Sequence, residues 1–159
     1  MKTSLDRRDF LKILGTAGTL AAVSPWMSAF AQVDKTAGET VRLGIIGPGS
    51  RGQFLMSFIL KNPKAKIVAL CDVYQPSLDS ALKMVPDAVV YNDYRKLLED
   101  RTIDAVVIAT PLDRHYQMVM DALEAGKDVF CEKAMCYELS QCHDVYMKYR
   151  SGNNIFFVG

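Results

Sequence analysis

Three glycines in Gly47-Pro48-Gly49-Ser50-Arg51-Gly52 are spaced G-x-G-x-x-G, between an apolar strand-like run, Val41-Arg42-Leu43-Gly44-Ile45-Ile46, and a stretch that opens a helix. In that context Gly47 permits a tight turn, Gly49 lets the backbone approach a pyrophosphate, and Gly52 lets helix and strand pack closely. The helix start then offers free N–H groups and the positive end of its dipole to phosphate. Pro48, Ser50 and Arg51 complete the turn and are counted with the glycines as cofactor-binding candidates. Twenty positions after Gly52, at the end of the run Ile67-Val68-Ala69-Leu70-Cys71, stands Asp72. A carboxylate there accepts hydrogen bonds from an adenosine ribose and repels a 2′-phosphate, which favours NAD over NADP. The competing reading of Asp72 is a cap or turn residue ahead of Gln75-Pro76.

Short β-branched runs alternate with amphipathic stretches along residues 41–159. This βαβ alternation predicts an α/β fold, a doubly wound parallel sheet (Rossmann) with helices on both faces. Strands are expected at Val41–Ile46, Lys66–Cys71, Ala88–Tyr91, Ile103–Ala109, Asp128–Cys131 and Ile155–Val158. Helices are placed at Ser50–Lys61, ending ahead of Asn62-Pro63, at Asp113–Ala125, ending at a left-handed Gly126, and at Glu138–Tyr149.

Residues 1–31 read as an export signal. Asp6-Arg7-Arg8-Asp9-Phe10-Leu11-Lys12 precedes an uncharged, mildly apolar run and then Ala29-Phe30-Ala31. The paired arginines resemble the twin-arginine signal, and Gly15, Gly18, Ser24, Pro25 and Ser28 argue against a spanning helix, so membrane contact is expected only through the signal. Cleavage is expected after Ala31, with a linker over residues 32–40 and a periplasmic destination. An uncleaved anchor is the alternative. Cleavage leaves 15 basic and 16 acidic side chains, a balance with no broad basic field, so nucleic acid is not an expected partner. The four cysteines survive it. Cys71 and Cys131 read as buried thiols at strand ends, Cys136 and Cys142 share a loop and helix, and no Cys/His spacing suggests a metal.

The order of several further segments resembles the Gfo/Idh/MocA oxidoreductases over essentially all of residues 41–159. They are Ile103-Asp104-Ala105-Val106-Val107-Ile108-Ala109-Thr110-Pro111, then His115, then Ala122-Leu123-Glu124-Ala125-Gly126-Lys127-Asp128-Val129-Phe130-Cys131-Glu132-Lys133. The resemblance implies that Thr110, Pro111 and His115 lie along the cofactor near its nicotinamide ribose, and that Glu132 and Lys133 stand at the nicotinamide and substrate. An ammonium at the end of a fifth strand can orient or deprotonate a substrate hydroxyl, more readily if partly buried, so Lys133 is the catalytic candidate. Its bland alternative is a solvated lysine paired with Glu132; that of His115 is a residue covering its helix start. Ala134 stands where the family has a signature proline, which leaves the loop behind Lys133 with less restraint.

The resemblance implies an NAD-dependent oxidoreductase acting on a sugar or polyol. A redox-neutral NAD-dependent glycoside hydrolase of the same fold is the second reading, favoured by export with a retained cofactor. The third is a truncated cofactor-binding fragment without turnover. The family's second α+β domain, which forms the substrate wall and usually the oligomer interface, is expected to be absent from these 159 residues, and an oligomer is expected only where that domain is present.

Overall fold

The computed structural model describes residues 40–159, so the expected leader and all of the linker except Thr40 lie outside the described residues. Six strands form one sheet: β1 (Val41–Ile46), β2 (Ala65–Cys71), β3 (Val89–Tyr91), β4 (Ala105–Ile108), β5 (Asp128–Cys131) and β6 (Phe156–Val158). Their order is β3-β2-β1-β4-β5-β6, and every neighbouring pair is parallel. This is the doubly wound order, in which the chain reverses direction across the sheet between β1 and β4 and opens a crevice at their carboxyl ends. Five helices connect the strands: α1 (Ser50–Ile59), α2 (Gln75–Leu82), α3 (Tyr94–Glu99), α4 (Leu112–Glu124) and α5 (Leu139–Ser151).

Alternation along the strands divides the core between two faces. Ile46, Cys71, Val106, Ile108, Val129 and Cys131 point to one side, where Leu97 of α3, Val119 and Leu123 of α4, and Val145 of α5 complete a buried cluster. Leu43, Ile45, Leu70 and Val107 turn the other way and are also buried, as are Leu55, Met56 and Ile59 of α1 and Leu78 and Ala81 of α2. Strands buried on both faces account for the unbroken apolar runs in the sequence.

β4 is shorter than its apolar run. Ile103 belongs to the turn after α3, where its N–H donates to the Asp100 carbonyl at 3.3 Å. The ladder is prolonged by single bonds, Asp104 N–H to Arg42 O and Ala109 N–H to Ile46 O, both 2.9 Å. That turn is closed from beneath by the buried Lys127, whose ammonium donates to the carbonyls of Asp100 (2.7 Å) and Ile103 (2.8 Å). Burial holds this ammonium below the ordinary lysine range, against the opposing pull of Asp100 and Asp104. α4 ends one residue earlier than expected, at Glu124, and Gly126 has the left-handed φ of +74° that a helix stop needs.

Candidate functional site

The glycine turn leaves β1 and enters α1 within four residues. Gly47 has φ +83°, a conformation that side chains resist, and its N–H donates to the Cys71 carbonyl at 2.8 Å, tying the turn to β2. At Gly52 a Cβ would collide with the carbonyl oxygen of Gly47, so only glycine lets α1 start this close to the turn. At Gly49 a Cβ would meet nothing within 4 Å, which leaves an open approach to the backbone on that side. The first internal bond of α1 runs from Gln53 N–H to Gly49 O at 2.8 Å, and Gly49 supplies no side-chain cap. The N–H groups of the first turn are therefore available to an anion. Gln53 also donates through Nε2 to the Pro48 carbonyl at 2.9 Å, bracing the turn from within α1.

Arg51 is turned across the crevice. Its Nε donates to Glu132 Oε1 at 2.6 Å, and its guanidinium lies 5.1 Å from the centre of the Phe54 ring. The pair is asymmetric: the Glu132 side chain is 7% exposed and that of Arg51 49%. Glu132 directly follows β5 and is seated by its own N–H, which donates to Ile108 O at 2.9 Å. The partner of Glu132 is thus Arg51 and not its neighbour Lys133. Lys133 is exposed, with no hydrogen bond or ion pair among the described residues, so partial burial does not ease deprotonation of its ammonium here.

His115, in the first turn of α4, is almost wholly buried, and both of its ring nitrogens face carbonyl oxygens: Nδ1 that of Ala134 at 2.8 Å, Nε2 that of Thr110 at 2.9 Å. The ring is therefore enclosed by protein and links the loop after β4 to the loop after β5. The Lys133–Ala134 peptide, at the position of the family's proline, is cis. Thr110 is half-buried and donates through Oγ1 to Met118 Sδ at 3.5 Å, while the exposed Pro111 caps α4. On the β2 side Asp72 accepts the Tyr74 N–H at Oδ1 (3.0 Å), the turn role that competed with a ribose role. A single hydrogen bond leaves that carboxylate with further acceptor sites.

The ends of β1, β2, β4 and β5 thus bring the glycine turn, Asp72, Thr110, Pro111, Glu132 and Lys133 to one edge of the sheet. The described helices include none long and apolar enough to cross a membrane. The Arg51–Glu132 bond, between residues 81 apart, and the closure of His115 by two carbonyls have no local signal in the sequence.

A family model described as the oxidoreductase family, NAD-binding Rossmann fold (Gfo/Idh/MocA), matches residues 41–159. The chain belongs to this family. It is 32% identical over 153 residues to a glycosyl hydrolase family 109 protein of Stenotrophomonas maltophilia, a match covering 89% of this chain and 32% of that one. It is 34% identical over 116 residues to the uncharacterized oxidoreductase YrbE of Bacillus subtilis, covering 73% of this chain and 34% of the relative. A crystal structure of scyllo-inositol dehydrogenase from Lactobacillus casei, with bound NAD(H) and scyllo-inositol, superposes with a TM-score of 0.71 at 30% identity, covering 76% of this chain and 36% of that one. The chain spans about a third of the length of these relatives.

Proposed function

We propose that this Gfo/Idh/MocA chain binds NAD and, within a polypeptide of its relatives' length, moves a hydride between nicotinamide C4 and a carbon of a sugar or polyol. The observation that carries the reading is the glycine turn, open at Gly49, closed at Gly52 and set on an uncapped helix start. The fit to a dinucleotide is chemical as well as spatial, since the first-turn N–H groups suit a pyrophosphate and the Asp72 carboxylate suits an unphosphorylated ribose. NAD supplies the hydride acceptor when bound. Lys133, exposed and unpaired among the described residues, holds or accepts the proton of the substrate hydroxyl. Thr110 and Pro111 would lie along the cofactor, near its nicotinamide ribose. Arg51 and His115 act through the loops they tie down.

Relatives named as glycosyl hydrolases favour a second reading, in which oxidation is transient and NAD is regenerated within one cycle. Export supports it, because a retained cofactor cannot be exchanged for fresh NAD. We place the chain in the periplasm, delivered by residues 1–31. The Stenotrophomonas match covers 89% of the chain, more than residues 41–159 supply, so the similarity extends ahead of residue 41.

Calorimetric titration of the purified chain with NAD and NADP tests the binding. Saturable NAD binding, with NADP at least tenfold weaker, is expected. Equal affinities would overturn the role of Asp72, and no binding would overturn the reading. In a polypeptide carrying the second domain, net NADH formation with a polyol marks the oxidoreductase, and glycoside cleavage without it marks the hydrolase.

A further inference from the structure

Gln53 braces the glycine turn through one end of its amide, and the other end is also taken. Its Nε2 donates to the Pro48 carbonyl at 2.9 Å, and its Oε1 accepts the hydroxyl of Ser80, 27 residues further on in α2, at 3.0 Å. The orientation of the amide follows from these partners. Reversed, it would set Oε1 against the Pro48 carbonyl, oxygen facing oxygen, whereas the Ser80 hydroxyl can donate to one end or accept from the other. The Ser80 proton therefore goes to Gln53 Oε1 and keeps the Gln53 donor on the turn.

α2 in turn sets the place of Asp72. Only Val73 and Tyr74 separate that carboxylate from the helix, and at 91% and 63% exposure they do not pack the segment down. Tyr74 caps α2 without a side-chain bond, and of the eight helical residues Leu78 and Ala81 are the buried ones. Burial of two apolar side chains resists lifting from the sheet but restrains sliding along it only weakly, because the hydrophobic effect is non-directional. A hydrogen bond is directional, and among the described residues Ser80 to Gln53 is the side-chain bond that ties α2 to another helix.

We propose that Gln53 and Ser80 are positioning residues for the dinucleotide: their bridge fixes the span between the glycine turn and the Asp72 loop, so that pyrophosphate and adenosine ribose are gripped in one geometry. The inference rests on the cofactor reading above. Both residues act through others, Ser80 through Gln53 and Gln53 through the Pro48 carbonyl. Without the hydroxyl, the turn and the carboxylate are presented over a range of separations, and the cost of ordering them falls on binding.

The test compares the full chain with Ser80→Ala, Ser80→Thr, Gln53→Leu and the double variant Gln53→Leu/Ser80→Ala. In the isotope-labelled, ligand-free proteins, Ser80→Ala should move the backbone amide resonances of Gly49, Ser50 and Arg51, and Ser80→Thr, which keeps the hydroxyl, should return them. In calorimetric titration with NAD, Ser80→Ala should weaken binding about three- to tenfold, the factor that one neutral hydrogen bond represents, and Ser80→Thr should stay within about twofold of wild type. Gln53→Leu should weaken binding at least as much, and the double variant no further. A contact that merely stabilises the fold would lower the urea midpoint of Ser80→Ala and leave the turn resonances and the NAD affinity of the folded protein unchanged. That result, or losses that add in the double variant, would overturn the proposal while the cofactor reading stands. A wild-type chain that takes up no NAD would instead remove the cofactor reading, and the proposal with it.

Discussion

Replacing Arg51 by Met keeps most of the aliphatic stem and removes the cation that faces Glu132, a carboxylate only 7% exposed. Two unit charges about 4 Å apart attract by about 4 kcal/mol at the effective dielectric of a protein surface. Desolvation of the carboxylate and the half-exposure of Arg51 reduce that figure. Fully exposed pairs contribute about 0.2–1 kcal/mol, and breaking a fully buried pair costs about 3–5 kcal/mol. A pair with one end buried falls between these limits, so Arg51→Met should lose about 2 kcal/mol of folding stability. Glu132→Gln should lose about 1 kcal/mol, because it leaves no buried charge behind. The assay is equilibrium urea unfolding of the two single variants and the double variant, with midpoints read at constant slope. The double variant should be more stable than additivity predicts by about 1 kcal/mol. Losses that add to within about 0.3 kcal/mol would refute the argument, since the two side chains would then be energetically independent despite their 2.6 Å contact.

Gly52→Ala should cost about 1–3 kcal/mol and abolish NAD binding in the same titration, because the added carbon meets the backbone carbonyl of Gly47 rather than a mobile side chain. Lys127→Met should destabilise by about 2 kcal/mol in urea, since it strips the Asp100 and Ile103 carbonyls of their buried donor. Burial raises the Asp128 carboxyl above its ordinary 3.8, against the bond it accepts from Ile155 N–H at 2.7 Å. Folding therefore penalises its charged form: the penalty is absent below 3.8 and develops as pH rises through the higher folded value. Asp128→Asn keeps the acceptor, so its stability relative to wild type should rise between about pH 3 and pH 7; a pH-independent difference would contradict this.

The sheet was readable because its strands are buried on both faces and carry uninterrupted apolar runs; β1 and β5 fall at the expected residues. α2 and α3 were not placed. α2 follows Tyr74, which makes no side-chain cap, and α3 has six residues, too few for a periodic pattern. A signal was present for each: Pro76 in the first turn of α2, and Asp93, which accepts the Arg95 N–H at 2.9 Å. At the site, the glycines announce themselves because their backbone roles are local. The partners of Arg51 and His115 do not, since Glu132 lies 81 residues after the one and Ala134 19 residues after the other.

The strand order also sets a timetable for biosynthesis. β1 is the first strand made and becomes central, yet its partner on one side, β4, follows far later: Arg42 and the Asp104 that it grips are 62 residues apart. At about 5–20 residues per second, that interval is roughly 3–12 s. Once β2 has been made, β1 has a neighbour on one side and an unpaired edge on the other until β4 follows, the kind of surface that recruits stray strands. The crevice closes later still, because Glu132 must emerge before Arg51 has a counterion. A nascent chain shielded until β5 has left the ribosome would escape that hazard, which makes the interval between β1 and β4 the vulnerable period in producing this protein.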